Sequence, residues 1–129
     1  MEMTSVLIID DSSIWLKLAT KQLEDSGFRV HTATTCTEAI LQAKRHRPDC
    51  ILMDFHLPDG DARTLCPSIR ATLQPDAPVI VVFSGDMEME LTAYGDCHAK
   101  KFILKGPGTL KRLPFIISDI LNLQQPERT

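Results

Sequence analysis

Short apolar runs alternate with amphipathic stretches along most of the chain. The runs lie at residues 5–9, 29–33, 50–53, 79–83 and 101–104. The first, third and fourth are almost continuously apolar, which is typical of strands covered on both faces of a sheet. The second and fifth are shorter or more polar. The pattern therefore predicts five strands, with the second and fifth in outer or less covered positions.

The stretches between the runs have helical spacing. Gly27 ends the first helix, and Thr35 with Glu38 forms a capping box at the start of the second, which Pro48 closes. The third helix begins near Asp61, after the turn at 57–60. The five predicted helices lie at about 13–26, 35–47, from 61 onward, 87–94 and 109–123.

Strands and helices therefore alternate five times. Right-handed crossovers place helices on both faces of such a sheet. The order predicts an α/β fold, a doubly wound five-stranded parallel sheet of flavodoxin-like (βα)5 type with strand order 2-1-3-4-5. We expect one domain over residues 1–124 and a polar tail over 125–129.

Two prolines conflict with the predicted helices. Pro67 falls inside the third helix and Pro114 inside the fifth. A proline past the first turn removes a hydrogen bond and clashes with the preceding turn. We therefore expect kinked helices or later starts. For the fifth helix we expect a late or irregular start, since residues 106–108 are Gly-Pro-Gly.

Composition excludes several classes of protein. The chain has 129 residues, 43% of them hydrophobic, and a formal net charge of −3. That charge argues against direct binding of nucleic acid, and no apolar run approaches the length of a membrane span. The N-terminus lacks the features of a signal peptide. The four cysteines show no metal-ligand spacing, so we expect reduced packing residues in a cytoplasmic protein.

Three carboxylates follow two of the predicted strands. Asp10 and Asp11 follow the first strand, and Asp54 follows the third. The carboxyl ends of parallel strands meet at one edge of the sheet, where ligands bind. Carboxylates so close repel each other unless a cation lies among them. Mg²⁺ suits such a site, because it takes oxygen ligands and retains water that a phosphate can displace.

Two further polar side chains follow the remaining strands at this edge. Ser84 follows the fourth strand, and Lys105 follows the fifth. Acids, a hydroxyl and an ammonium suit phosphoryl transfer to a carboxylate nucleophile. The ammonium and the hydroxyl would stabilise the phosphoryl oxygens. Capping of the first helix is the simpler alternative for Asp10 and Asp11, although one carboxylate would suffice for that.

The chain resembles the receiver domain of bacterial two-component response regulators, of the chemotaxis-regulator type. The resemblance extends from Val6 to about Leu123. It depends on four motifs in order, each after a predicted strand: Ile-Ile-Asp10-Asp11-Ser12, Leu-Met-Asp54-Phe-His-Leu-Pro58-Asp-Gly60, Val-Val-Phe-Ser84-Gly85 and Phe102-Ile-Leu-Lys105.

The resemblance implies a role for each site residue. Asp54 would be the phosphoacceptor, and Lys105 would pair with the phosphate. Ser84 and Phe102 would be the switch residues. His56 lies two residues after the acceptor, and Asp86 lies two residues after the serine. Their side chains would tune dephosphorylation. The Mg²⁺ ligands would be Asp10, Asp11, Asp54 and the backbone carbonyl of His56.

The resemblance also implies partners. The phosphoryl donor would be a sensor histidine kinase or a histidine phosphotransfer protein, and the receiver would control an output domain or target protein. It would catalyse only its own phosphorylation and dephosphorylation. Homodimerisation would use the face formed by the fourth helix, fifth strand and fifth helix. No membrane contact is expected.

One departure from the family pattern keeps an alternative open. The lysine is usually followed at once by proline, but here the order is Lys105-Gly106-Pro107. The chain could therefore be a receiver-like interaction module that works without phosphorylation. A phosphohydrolase of the haloacid-dehalogenase type is disfavoured, because Asp10-Asp11-Ser12 lacks its Asp-x-Asp motif. A flavodoxin is disfavoured by two carboxylates where a phosphate would bind.

The first predicted helix contains the only tryptophan, Trp15. We expect Trp15 to pack in the core, together with Leu18, Ala19 and Leu23. Its neighbour Leu16 should then point outward, where it would be a candidate contact for a kinase.

Overall fold

A computed structural model describes residues 3–123 of the chain. The predicted tail at 125–129 lies outside the described residues. The strands are β1 (Ser5–Ile9), β2 (Arg29–Ala33), β3 (Cys50–Met53), β4 (His56–Leu57), β5 (Gly60–Asp61), β6 (Val79–Ser84) and β7 (Lys101–Leu104). The helices are α1 (Ser13–Asp25), α2 (Cys36–His46), α3 (Ala62–Thr72), α4 (Glu90–Gly95) and α5 (Pro107–Ile120), with a 3₁₀ turn at Met87–Met89 before α4.

Five strands form one parallel sheet in the order β2-β1-β3-β6-β7. This arrangement confirms the predicted order 2-1-3-4-5, because β4 and β5 form a separate two-stranded hairpin. Side chains of a strand alternate between the two faces of a sheet. Accordingly, Leu7 and Ile9 pack into the core on one face, and Val6 and Ile8 pack into the core on the other.

Helices α1, α2 and α3 begin at side chains that cap their first turns, whereas α4 and α5 have no side-chain cap. Thr35 Oγ1 accepts a hydrogen bond of 3.0 Å from the backbone N–H of Glu38, which confirms the predicted cap of α2. Asp61 Oδ1 accepts one of 2.9 Å from Arg63 and starts α3. These contacts satisfy N–H groups that have no partner inside the helix.

The expectation of a late start for α5 was wrong. The helix begins at Pro107, and the backbone N–H of Leu110 donates to the carbonyl of Gly106 over 2.9 Å. Proline is tolerated there because the first N–H groups of a helix have no partner within it. Pro114 lies inside α5 and is buried. The third helix begins where predicted and continues through Pro67.

The predicted faces of α1 were partly wrong. Leu16 packs against the core, whereas Leu18 is 42% exposed. Leu16, Ala19 and Leu23 are three and then four residues apart, so they share one face of the helix, and Leu18 falls outside it. The large apolar residues of this helix that point outward are therefore Ile14 and Leu18.

The cysteines fill the interior, as predicted. Cys50, Cys66 and Cys97 are buried and reduced, and Cys36 is half-buried. Burial raises the pKa of the Cys50 and Cys66 thiols to about 12, so they stay protonated and unreactive. Within residues 3–123 no helix is both long and apolar enough to cross a membrane.

Candidate functional site

The site lies at the carboxyl ends of the central strands. The backbone N–H of Asp54 donates to the carbonyl of Ile9 over 2.8 Å, and that of Lys105 donates to Ser84 over 2.9 Å. These bonds extend the parallel pairing one residue beyond β3 and β7. The residues that follow the strands are therefore held in register by the sheet rather than by flexible loops.

The three predicted carboxylates converge. Asp10, Asp11 and Asp54 each offer an oxygen, and these oxygens all lie within 4.8 Å of one another. Asp10 is buried, Asp54 is partly exposed, and Asp11 is exposed. Asp11 makes no side-chain hydrogen bond or ion pair to another residue in the described part of the chain, so its carboxylate is available to a ligand.

Lys105 supplies the positive charge of the site. Its Nζ lies 2.7 Å from Oδ2 of Asp10 and 3.0 Å from Oδ2 of Asp54. The lysine side chain is only 8% exposed. The site therefore has three carboxylates and one ammonium, which contacts two of them, and the remaining negative charge favours a cation.

Burial raises the pKa of the Asp10 carboxyl above its ordinary value of 3.8. Hydrogen bonds from Lys105 and from the backbone N–H of Ser12, at 2.9 Å, oppose this effect. Asp10 is thus fixed through both oxygens. Asp54 accepts a hydrogen bond of 2.8 Å from the backbone N–H of Phe55 at Oδ1, while Oδ2 faces the lysine.

Ser84 lies at the end of β6 with its side chain buried. Its Oγ accepts a hydrogen bond of 3.1 Å from the backbone N–H of Asp86. Asp86 in turn caps the 3₁₀ turn, because its Oδ1 accepts from Glu88 over 3.1 Å. The serine hydroxyl is therefore connected to the loop that leads into α4.

The side chains of His56 and Asp86 meet across the rim of the site. His56 Nε2 lies 3.2 Å from Oδ2 of Asp86, and both side chains are well exposed to solvent. This contact joins the segment after β3 to the segment after β6.

Phe102 lies on β7 with its ring in the core, and the residue is 7% exposed. Its backbone N–H donates to the hydroxyl of Tyr94 on α4 over 3.0 Å. The aromatic ring is therefore already inside the protein in this structure, and α4 is attached to the edge strand of the sheet.

Sequence reasoning missed two residues that contact the site or its loop. The ring of Trp15 lies against the Lys105 ammonium, although the sequence only indicated a core residue. Asp59 holds the loop after β3 against α2, since it accepts from the backbone N–H groups of Cys36 at 2.7 Å and Thr37 at 3.1 Å. The turn motif contained Asp59, but nothing local in the sequence indicated its partner.

The donor set fits a hard divalent cation. All the converging ligand atoms are carboxylate oxygens, with no thiol or imidazole among them, and such sites suit Mg²⁺. The exposed Asp11 leaves one side of the cluster open to solvent, and Mg²⁺ retains several waters in its sites.

Comparison with known proteins identifies the family. Residues 6–114 match the response regulator receiver domain, and the chain belongs to that family. It is a receiver domain of the two-component type, in which an aspartyl phosphoacceptor and a Mg²⁺ site are typical. The resemblance predicted from the four motifs is thereby confirmed.

Individual relatives agree with this assignment. The KDP operon transcriptional regulatory protein KdpE of Escherichia coli is 33% identical over 103 residues, which are 80% of this chain and 45% of that protein. A crystal structure of a two-component response regulator from Clostridium difficile is 28% identical, has a TM-score of 0.82, and covers 93% of this chain and 97% of its own.

The fold is also similar to that of a chemotaxis protein. The structure of CheY4 from Vibrio cholerae has a TM-score of 0.81, with 92% of this chain and 99% of that chain covered. At 23% identity this likeness concerns the fold alone. The chain spans about half the length of regulatory proteins such as KdpE and PrrA.

Proposed function

We propose that Asp54 accepts a phosphoryl group from a phosphohistidine donor in a Mg²⁺-dependent reaction. The main support for this role is that Asp54 has both a cationic partner and access to solvent. Both carboxylates contact Lys105 and accept a backbone hydrogen bond, but the side chain of Asp54 is 15% exposed and that of Asp10 only 4%. A nucleophile needs a charged partner and a free approach, and Asp54 has both.

The metal ligands proposed are the carboxylates of Asp10, Asp11 and Asp54, with the backbone carbonyl of His56. Bound there, Mg²⁺ would neutralise the carboxylates and the incoming phosphoryl oxygens together. Of these three carboxylates, Asp11 is the one without a cationic partner in residues 3–123, which supports its role as a direct ligand. Asp10 remains tied to Lys105 and to the backbone of Ser12.

In the proposed reaction an oxygen of Asp54 forms a bond to phosphorus while the phosphorus–nitrogen bond of the donor breaks. The imidazole leaves and takes a proton from solvent. Lys105 balances the charge that the phosphoryl group brings to the crevice. The hydroxyl of Ser84 donates a hydrogen bond to a phosphoryl oxygen once it has turned away from Asp86.

Release of Ser84 from Asp86 would couple phosphorylation to conformation. The loop after β6 leads into α4, and α4 is attached through Tyr94 to the backbone of Phe102. Ser84 and Phe102 are the proposed switch residues on this route. A ligand that pulls Ser84 toward Asp54 would bias the equilibrium between two arrangements of this region. His56 and Asp86, which meet at the rim, are proposed to tune the loss of the phosphoryl group.

The proposed partners are a sensor histidine kinase or histidine phosphotransfer protein and a downstream output domain or target. Exposed apolar side chains on the α4, β7 and α5 side support a docking or homodimer surface there. Leu91 is 84% exposed, Met87 is 64% exposed and Leu104 is 38% exposed. The overall negative charge argues against direct contact with nucleic acid. A cytoplasmic location fits these partners.

No contact in the described part of the chain favours the alternative, a receiver-like interaction module that works without phosphorylation. Its support in the sequence was the proline displaced to position 107. Lys105 nonetheless reaches both Asp10 and Asp54, so the displaced proline leaves the charge pairing intact.

The test is the mass of the intact protein after incubation with acetyl phosphate, with Mg²⁺ and with a chelator. We expect one phosphoryl adduct that requires Mg²⁺ and is absent from Asp54→Asn. Asp76→Asn is the matched control, because Asp76 is exposed in the turn before β6, and this variant should form the adduct. Absence of the adduct from folded wild type, also with a phosphohistidine donor, would favour the phosphorylation-independent module.

A further inference from the structure

The ammonium of Lys105 lies between two kinds of surface. The carboxylates of Asp10 and Asp54 face it on one side. On the other side, Nζ lies over the ring of Trp15, 5.5 Å from its centroid, and 6.0 Å from the centroid of Phe83. Both distances are within the range at which the negative face of an aromatic ring attracts a cation.

The aromatic side of this arrangement is fixed by the fold. Trp15 and Phe83 pack edge to face, with centroids 5.6 Å apart and planes at 88°. Phe83 is buried on β6, and Trp15 packs against the core on the same side of the sheet. The backbone N–H of Trp15 also donates to the capping hydroxyl of Ser12 over 3.4 Å, next to Asp11. The backbone of Trp15 is therefore fixed in the first turn of α1, and its indole is held by packing against Phe83.

From this geometry we infer that Trp15 is a positioning residue for Lys105 in the phosphorylation reaction, which rests on the proposed function of Asp54. The indole face holds the ammonium at the wall of the crevice and prevents it from turning toward solvent. A lysine side chain has four rotatable bonds and loses much freedom when it is fixed. Trp gives the strongest cation–π attraction of the aromatic residues, so it suits this task.

The backbone after Lys105 makes such a contact useful. Gly106 follows the lysine in an extended conformation, and Pro107 comes only at the start of α5. Glycine restricts the chain less than any other residue. The side chain of Lys105 is thus positioned by its contacts with Trp15, Asp10 and Asp54 rather than by a rigid residue next to it.

The contact itself can be tested without any phosphorylation. Methylene protons of Lys105 that lie over an indole are shifted upfield by its ring current. We expect upfield side-chain resonances of one lysine in the wild type, assigned by their loss in Lys105→Met. They should move toward ordinary positions in Trp15→Leu, where only the more distant ring of Phe83 remains. Ordinary lysine shifts in the wild type, or unchanged shifts in Trp15→Leu, would overturn the inference.

The functional test uses the fact that Trp15 is the only tryptophan. Biosynthetic incorporation of mono-, di- and trifluorotryptophan weakens the negative ring face at one residue with little change of shape. We expect the maximal rate of phosphorylation by acetyl phosphate to fall stepwise with fluorination, while the donor concentration at half-maximal rate changes little. Trp15→Leu should lower that rate about fivefold, equivalent to about 1 kcal/mol at 1.36 kcal/mol per factor of ten.

A matched control separates positioning from packing. Phe28 is buried in the same core cluster but belongs to the segment between α1 and β2, far from the lysine, so Phe28→Leu should leave the maximal rate unchanged. A wild type that forms the adduct, with equal rates across the fluorinated series, would overturn the positioning role and leave the proposed function standing. A wild type that forms no adduct with either acetyl phosphate or a phosphohistidine donor would overturn the proposed function, and the role of Trp15 in it.

Discussion

Lys105 and Asp10 form an ion pair of 2.7 Å whose side chains are 8% and 4% exposed. This pair is shorter than the contact of 3.0 Å between Lys105 and Asp54. The lysine therefore has a role in the unphosphorylated protein as well as its proposed role with the phosphoryl group. It also neutralises a buried carboxylate that would be costly to leave alone.

Replacing this lysine should destabilise the protein in a way that Mg²⁺ can repair. Without magnesium, we expect Lys105→Met to lower the free energy of unfolding by about 3–5 kcal/mol, because the buried carboxylate of Asp10 loses its cationic partner. Saturating Mg²⁺ should restore part of this loss, since it supplies positive charge to the same carboxylates. Urea unfolding with Mg²⁺ and with a chelator measures both effects.

The control is Lys21→Met. Lys21 pairs with Asp25 at 3.0 Å, but both side chains are largely exposed, so the loss should be about 0.5 kcal/mol or less with or without magnesium. An equal loss for Lys105→Met in both conditions would contradict the shared role of lysine and metal.

The sheet and the place of the site could be predicted from local pattern. Continuous apolar runs such as 50–53 are compatible with burial on both faces, and parallel strands bring their carboxyl ends to one edge. Asp10, Asp54 and Lys105 each come directly after a predicted strand, so their convergence required no knowledge of loop conformation. The convergence is a property of the topology.

The contacts around these residues depend on tertiary packing and were not predictable. Trp15, Leu16 and Leu18 are all apolar, and their spacing fits two helix faces equally well, so the indole could not be placed against Lys105. Asp59 caps a helix that begins 23 residues earlier in the chain. Pro107 fits both a loop and the first turn of a helix.

The rim contact between His56 and Asp86 should affect the lifetime of the phosphoryl group. We expect His56→Ala and Asp86→Ala each to speed loss of the adduct by about twofold to fivefold, because water then reaches the crevice more easily. If the two side chains act as a pair, the double variant should be no faster than either single variant. The decay of adduct mass with time, after removal of the donor, gives these rates.

An additive double variant would mean that the two side chains act separately. Ser68→Ala is a suitable control, because Ser68 is exposed on α3 and its hydroxyl donates to the backbone carbonyl of Thr64 in the same helix. Its adduct should decay at the wild-type rate.

Asp59 should stabilise the protein at neutral pH but not in acid. The hydrogen bond from the backbone N–H of Cys36, with others from Thr37, lowers the pKa of the Asp59 carboxyl to about 2. The ordinary value of 3.8 applies when the protein is unfolded. The contribution of the Asp59 carboxylate to stability is therefore complete above about pH 4 and is lost as the pH falls toward about 2. Asp59→Ala should lower the urea midpoint at neutral pH, and the difference from wild type should shrink on acidification.

Asp76→Ala serves as the comparison for Asp59→Ala, since Asp76 is an exposed carboxylate in a turn. It should leave the urea midpoint near the wild-type value at each pH. A deficit of Asp59→Ala that stays constant down to about pH 3 would contradict the role of the ionised carboxylate.

The stacked rings of His31 and His46 should make the protein less stable in mild acid. Their centroids lie 3.5 Å apart with planes at 9°, between β2 and the end of α2. Burial lowers the pKa of His31 below 6.5, and His46, Arg29 and Arg45 lower it further. The unfolded chain therefore binds a proton before the folded protein does. Stability should fall as the pH drops below about 6.5, and the fall should end below the folded pKa.

His31→Phe keeps an aromatic ring on β2 but removes the proton site. We expect the variant to lose less stability than the wild type between about pH 7.5 and about pH 5.5, measured by urea unfolding at several values. His98→Asn is the control, because His98 is exposed with a φ of 51°, a conformation that asparagine tolerates. Its pH dependence should match the wild type. If His31→Phe retains the full wild-type slope, titration of His31 does not account for the acid sensitivity.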